Sequence, residues 1–359
     1  MPCTQLQWPA LAVRFRTDHR VRPCITFVGS RILTTYFLVE PYNSHRREAR
    51  QTGVMIVVVC PGQGSQTPGF LSPWLAESRF ADHLQVLSDA SGLDLAAHGT
   101  TSDADTIRDT AVAQPLIVAA GLLALSVLLE GRREKVGGVA GHSVGEVTAA
   151  AAAGILSETD AMTLVRERGT AMASASALEL TGMSAVIGAT EEELLSRLIP
   201  LGLEPANFNG GGQIVVAGAL DALATLKDAP PAGARVIPLQ VAGAFHTRYM
   251  SPAVAQLASV VDGLQKHDPT LTIWTNHDGT VVSNGAAFID LLVGQVSSPV
   301  RWDKTMDAFA AAGVIGLIEI APAGALVGLA KRGLKGVPTV AVKTPDDLAA
   351  ALDLIDGKS

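Results

Sequence analysis

Apolar residues along this chain gather into short, largely β-branched runs that open into glycine-rich turns. Residues 56–60 and 136–140 are two such runs. Their length and unbroken hydrophobicity predict strands buried on both faces, as in a parallel sheet covered by helices. The first run opens into Pro61-Gly62-Gln63-Gly64-Ser65-Gln66. The second opens into Gly141-His142-Ser143-Val144-Gly145, followed by a helix of small residues over 146–154. Between Gly182 and Val241 the rhythm changes. Strands are predicted over 182–189, 205–209, 213–218 and 234–241, and helices over 191–198 and 220–227, which gives the ferredoxin-like order βαββαβ. The expected fold is therefore α/β: an α/β-hydrolase-like parallel-sheet core over 54–180 and 242–359, with an inserted ferredoxin-like subdomain over 181–241. Such an insertion beside a core makes a cleft, the usual place for a substrate.

Residues 1–53 follow neither pattern. They hold eight arginines, no lysine and three acidic residues, a net charge of +5 against −12 for the rest of the chain. The one apolar patch there, 25–39, is interrupted by Arg31 and is not a transmembrane helix. The stretch reads as an atypical N-terminal extension with Met55 as the expected first residue, or as an organellar transit peptide.

Composition narrows the function. The chain has 359 residues, 48% hydrophobic and 17% charged, enough apolar material for a large core. Its formal net charge of −7, with no concentrated basic surface, argues against nucleic acid as a partner. Cys3, Cys24 and Cys60 show neither metal-ligand spacing nor a disulfide framework, which points to a reducing, cytoplasmic setting. No run of eighteen or more apolar residues suggests a membrane span.

The candidate chemistry lies on the turns. GHSVG is a nucleophile-elbow pattern, in which glycines relieve crowding at a sharp strand-to-helix turn and expose the serine, here Ser143. The loop 61–66 lacks the Gly-Lys-Ser/Thr of a P-loop; its backbone N–H at Gln63, with that of Val144, suits an oxyanion hole. His246 follows an apolar strand and small residues and is the best-placed base among eight histidines, although a lone histidine in such a place is more often structural. Arg168 either reads a carboxylate through two parallel hydrogen bonds or, with Arg166 and Glu167, decorates a solvated helix face. Asn207 and Asn209 share a strand face and either enter the cleft or form a turn.

Gly62-Gln63-Gly64-Ser65-Gln66, Gly141-His142-Ser143-Val144-Gly145, Arg168-Gly169, Asn207-Phe208-Asn209, Gly243-Ala244-Phe245-His246 and Gln295 to Trp302 together resemble the successive signatures of malonyl-CoA:acyl carrier protein transacylases. The resemblance runs from about Met55 to the C-terminus and is strongest to the actinobacterial enzymes of type II fatty acid synthesis. It implies a ping-pong transfer from malonyl-CoA to the phosphopantetheine thiol of acyl carrier protein. Ser143 would be the nucleophile, His246 the base, and Gln63 and Val144 the oxyanion hole. Arg168, Asn209 and Phe245 would bind substrate, with the backbone carbonyl at Gln295 orienting the histidine in place of a triad acid. The resemblance implies no cofactor and no metal. Val144 and Phe245 are similar to residues of malonyl-selective rather than methylmalonyl-selective relatives. An acidic carrier would need a local basic patch, for which Arg301, Lys304, Lys331, Arg332 and Lys335 are candidates. Ala321-Pro322-Ala323-Gly324 departs from the family's Gly-Pro-Gly. A serine esterase or thioesterase, an acyltransferase of polyketide synthesis and a non-catalytic carrier-binding module are the other readings.

Overall fold

The computed structural model describes residues 23–28, 31–36, 55–241 and 243–358. The chain divides into two compact units, Met1–Thr52 and Gly53–Ser359. In the first, β1 (Pro23–Val28) and β2 (Arg31–Tyr36) pair antiparallel. The sequence reading found no element there; Ile25, Thr26, Val28, Ile32, Thr34 and Thr35 supply the β-branched residues that favour one. Cys3, His19, His45 and most of the expected extension lie outside the described residues.

In the second unit, β3 (Ile56–Cys60) and β4 (Val136–Gly141) begin the core. Next come β5 (Thr181–Ile187), β6 (Glu204–Gly210), β7 (Gln213–Ala219) and β8 (Arg235–Pro238). The chain then returns through β9 (Ile273–Trp274), β10 (Gly316–Glu319) and β11 (Thr339–Ala341). The core sheet runs β11-β10-β3-β4-β9, parallel throughout. Every residue of β3 is buried, as its unbroken β-branched run requires. Cys60 stands opposite Gly141 in the β3–β4 register. Two parallel strands that end level release their loops side by side, so 61–66 and 141–145 emerge together at the carboxyl edge.

Helix Thr110–Leu128 lies in the core. By length and composition alone it could cross a bilayer, with mean hydropathy 2.2, but 78% of it is buried within the chain. Gln114 breaks the apolar run in the sequence, which hid the helix from a search for uninterrupted spans. Its apolar surround is the core itself: Leu116, Ile117, Leu123 and Leu128 pack with Val58, Val147 and Leu164.

The small sheet runs β6-β7-β5-β8, antiparallel throughout, which is the ferredoxin-like order. The two-residue period of its strands divides its faces. Val186, Phe208, Ile214 and Val216 pack under helices Glu191–Leu198 and Leu220–Asp228, while Met183, Ala185 and Val215 face the core. The last strand is shorter than the 234–241 expected. It is an edge strand, where Pro238 is tolerated at a non-hydrogen-bonded position, and its pairing ends one residue later with the Leu239 N–H donating to Met183 O at 2.9 Å. Residues 295–302 join the small sheet to the core: Phe208 donates its N–H to Val300 O at 2.8 Å, Val300 donates to Ala206 O at 2.9 Å, and His246 donates to Val296 O at 3.0 Å.

Candidate active site

The turn after β4 is tight enough to exclude side chains. A Cβ on Gly141 would lie 2.0 Å from the Gly145 carbonyl carbon, and one on Gly145 would lie 2.1 Å from Cys60 O. Between them Ser143 sits at φ +54°, in the left-handed region that costs a non-glycine residue about 1–3 kcal/mol. Neighbouring bonds hold it there. The Ser143 N–H donates to Asn276 Oδ1 at 2.8 Å, and Asn276 Nδ2 donates to Gly141 O at 2.5 Å.

Ser143 Oγ lies 2.7 Å from His246 Nε2, and His246 Nδ1 lies 2.9 Å from the backbone oxygen of Gln295. A carbonyl only accepts, so Nδ1 carries the hydrogen. In the neutral ring Nε2 is then left as the acceptor for the serine hydroxyl. His246 is also at positive φ, +61°. Burial drives its pKa down to about 3, the Arg168 guanidinium and His142 push the same way, and the Gln295 carbonyl opposes them. The resting ring is therefore neutral, with Nε2 placed as acceptor for the serine hydroxyl.

Arg168 lies on helix Glu158–Ser176, where positions two apart are turned by about 200°. That rotation separates the two arginines. Arg166 pairs with Glu167 at the surface, whereas Arg168 is 0% exposed. Its Nη1 donates to Gln114 Oε1 at 2.7 Å and its Nη2 to Ser143 Oγ at 3.4 Å, while Nε has no partner among the described residues. Burial lowers its pKa to about 10 and Glu146 opposes the shift, so the charge persists at neutral pH. A buried guanidinium with a donor to spare is costly unless an anion completes it.

The loop 61–66 is tied down at a distance. Gln63 Nε2 donates to Arg108 O and Gln66 Nε2 to Ile107 O, each at 3.2 Å. Gln63 and Val144 line the same cavity as Ser143, a space of about 390 Å³ between the core and the small sheet. Asn207, Asn209, Phe245 and His246 also line it, and Arg332 stands among its walls. Asn209 accepts from or donates to its neighbours on two sides, with His142 Nε2 3.0 Å from its Oδ1 and Gln213 Oε1 3.0 Å from its Nδ2. Every residue singled out from the sequence for the site is thus at this cavity or in direct contact with the Ser143–His246 pair. Among the described residues no cluster of His, Cys, Asp or Glu suits a metal ion.

The acyl transferase domain family matches residues 57–346. The malonyl CoA-acyl carrier protein transacylase of Mycobacterium tuberculosis H37Rv is 52% identical over 298 residues, covering 82% of this chain and 98% of that protein. The chain belongs to the malonyl-CoA:acyl carrier protein transacylase family. The Escherichia coli K12 transacylase is 35% identical over 311 residues, covering 82% and 98% of the two chains. The crystal structure of the M. tuberculosis transacylase superposes with a TM-score of 0.80 at 50% identity, over 83% of this chain and 99% of that one. A malonyl-transacylase solved with its type II PKS acyl carrier protein superposes at 0.79 with 32% identity, over 83% and 99%.

Four polar residues of this transacylase fold went unnoticed in the sequence: Gln114, His142, Glu146 and Asn276. Gln114 had a signal, being the one amide in an otherwise apolar helix. His142 lies within the elbow and Glu146 directly follows it, so both could have been read from it. Asn276 had none, because its partners Gly141 and Ser143 are more than 130 positions away. The basic patch also narrows. Arg301 is engaged by Asp303 at 2.6 Å and stacks over Phe208, and Lys304 lies 3.8 Å from Asp307. Lys331, Arg332 and Lys335 remain exposed on or beside helix Ala325–Gly333. In the departing segment 321–324, Gly324 takes φ +142°, keeping a glycine where the turn into that helix demands it.

Proposed function

We propose that this chain transfers the malonyl group of malonyl-CoA to the phosphopantetheine thiol of acyl carrier protein through a malonyl ester on Ser143, supplying fatty acid elongation. The observation that carries this reading is the Ser143–His246 contact of 2.7 Å beside a buried guanidinium with an unpaired N–H. In the first half-reaction the Ser143 hydroxyl gives its proton to His246 Nε2 as Oγ attacks the thioester carbonyl. The N–H groups of Gln63 and Val144 hold the oxyanion. The carbon–sulfur bond breaks, and His246 returns the proton to the departing CoA sulfur. In the second half the carrier thiol gives its proton to His246 and attacks the ester. The carbon–oxygen bond then breaks and Ser143 recovers its hydrogen.

Arg168 binds the malonyl carboxylate through paired charge-assisted hydrogen bonds, and Asn209 and Phe245 shape the acyl cavity. Gln295 fixes the histidine through its carbonyl. The malonyl thioester, the carrier thiol, Ser143 and His246 supply all the reacting groups, so the scheme calls for no cofactor. Residues 54–180 and 242–359 form the acyltransferase core and 181–241 a subdomain that walls the substrate cleft. The reaction belongs in the cytoplasm, where malonyl-CoA and a soluble carrier meet. A carrier of polyketide assembly is a second reading, favoured by the likeness to the type II PKS pair. Initial-rate kinetics test the scheme: varying both substrates gives parallel double-reciprocal lines, and Ser143→Ala abolishes transfer. Intersecting lines, or transfer surviving in Ser143→Ala, would contradict it.

A further inference from the structure

Two acidic side chains are buried among the described residues, Glu146 and Glu319. Glu319 accepts the N–H groups of Leu326 and Val327 at 2.9 and 2.8 Å, capping helix Ala325–Gly333, which accounts for it. Glu146 has no task in the steps above, yet its carboxylate reaches both halves of the reacting pair. Its Oε1 accepts the Asn276 N–H at 2.7 Å, and Asn276 in turn holds the N–H of Ser143 and the carbonyl of Gly141. Its Oε2 accepts from Gln295 Nε2 at 2.7 Å, and the carbonyl of that same Gln295 receives His246 Nδ1–H.

The geometry points to Glu146 as a positioning residue that couples the serine turn to the histidine, so that one buried carboxylate sets the Ser143–His246 contact. This rests on the roles proposed above for Ser143 and His246. Both residues occupy positive φ, which non-glycine residues hold only when their surroundings over-determine it. The bonds that do so run from either side to the same carboxylate. An ionised acid ends both chains with charge-assisted bonds. It is an acceptor on both oxygens, whereas a glutamine in its place presents one acceptor and one NH₂. With its oxygen on the Asn276 N–H, a glutamine would turn its NH₂ to Gln295, whose side chain must flip to offer Oε1, unpartnered among the described residues, so both links are rebuilt on a neutral group without the charge.

The test compares wild type, Glu146→Gln, Gln295→Leu and the double variant at pH 8. Two rates are read: sulfonylation of Ser143 by phenylmethanesulfonyl fluoride, which needs no malonyl recognition, and kcat with KM for malonyl transfer. A displacement of the pair by a fraction of an ångström costs about 10- to 100-fold. Glu146→Gln is expected to lower sulfonylation and kcat by that factor with KM unchanged. Gln295→Leu gives a similar loss, and the double variant loses no more than the larger single one, because both act through one chain of bonds. Loss of melting temperature with both rates intact, or fully additive losses, overturns the proposal. Should Glu146→Gln fail to fold, Gln295→Leu decides alone, an unchanged kcat overturning it. Wild-type protein that neither reagent modifies at Ser143 would instead refute the Ser143 assignment.

Discussion

Replacing Arg168 separates recognition of the malonyl carboxylate from the chemistry at Ser143. The guanidinium is fully buried, and the donor left unpaired in the free protein sits on the same group whose Nη2 is 3.4 Å from the nucleophile. A carboxylate bound there gains two charge-assisted hydrogen bonds, each worth about 1.5–3 kcal/mol. Arg168→Ala removes about 3–6 kcal/mol on that basis, which at about 1.4 kcal/mol per decade is about 10²- to 10⁴-fold in kcat/KM for malonyl-CoA. The substitution also leaves a cavity, frees Gln114 and removes a positive charge near His246 and Glu146. Those effects reach any acyl donor, so acetyl-CoA is the reference. The assay measures kcat/KM for both donors in both proteins, and the malonyl-to-acetyl ratio should fall about 10²-fold or more. Equal losses with the two donors would refute the carboxylate role, whatever their size.

Three further outcomes are expected. Burial pushes Glu146 up to about 7, while the Asn276 N–H, the Arg168 charge, Thr275 and Gln295 pull the other way. Protonation sets a hydrogen against the donors that need its oxygens, so kcat falls as pH drops from 8 to 6, and Glu146→Gln is flat across that window. His246, held down near 3 by burial, Arg168 and His142, adds no limb there; a limb that survives in Glu146→Gln refutes the assignment. Gly145→Ala drives a methyl into Cys60 O and costs about 3 kcal/mol or more, read as a melting temperature about 6 °C lower; an unshifted melting curve would show that the turn gives way. Reversing Lys331 and Lys335 to glutamate raises KM for acyl carrier protein several-fold and weakens its salt dependence, with acylation by malonyl-CoA unchanged. An unaltered carrier KM would move the docking surface elsewhere.

The core and the small sheet were legible because short apolar runs are bounded by glycine turns: Ile56–Cys60 opens into one, and the run within Gln213–Ala219 follows another. The elbow was legible because two glycines flank a serine after such a run. Arg168 was legible only as a candidate, since adjacency to Arg166 and Glu167 says nothing of which side of the helix each takes. Helical rotation decides it, and that needs the helix to be seated. The last strand shows tertiary position overriding an apolar pattern, since its pairing ends at the Leu239 N–H and Val241 lies beyond it. The roles of Asn276 and Glu146 lay beyond the sequence for one reason: their hydrogen bonds join residues 130 or more positions apart, and no period records that. Arg301 and Lys304 were candidates for a basic patch, and the structure places Asp303 and Asp307 beside them.

The central claim is that Ser143 carries the malonyl group between two thiols. Incubating the protein with malonyl-CoA, locating the adduct by intact-mass measurement and peptide mapping, and then adding acyl carrier protein tests it directly. The account predicts a malonyl ester on Ser143 that disappears as malonyl-carrier forms in equal amount. An adduct on another residue, or a Ser143 ester that only hydrolyses in the presence of the carrier, would contradict it.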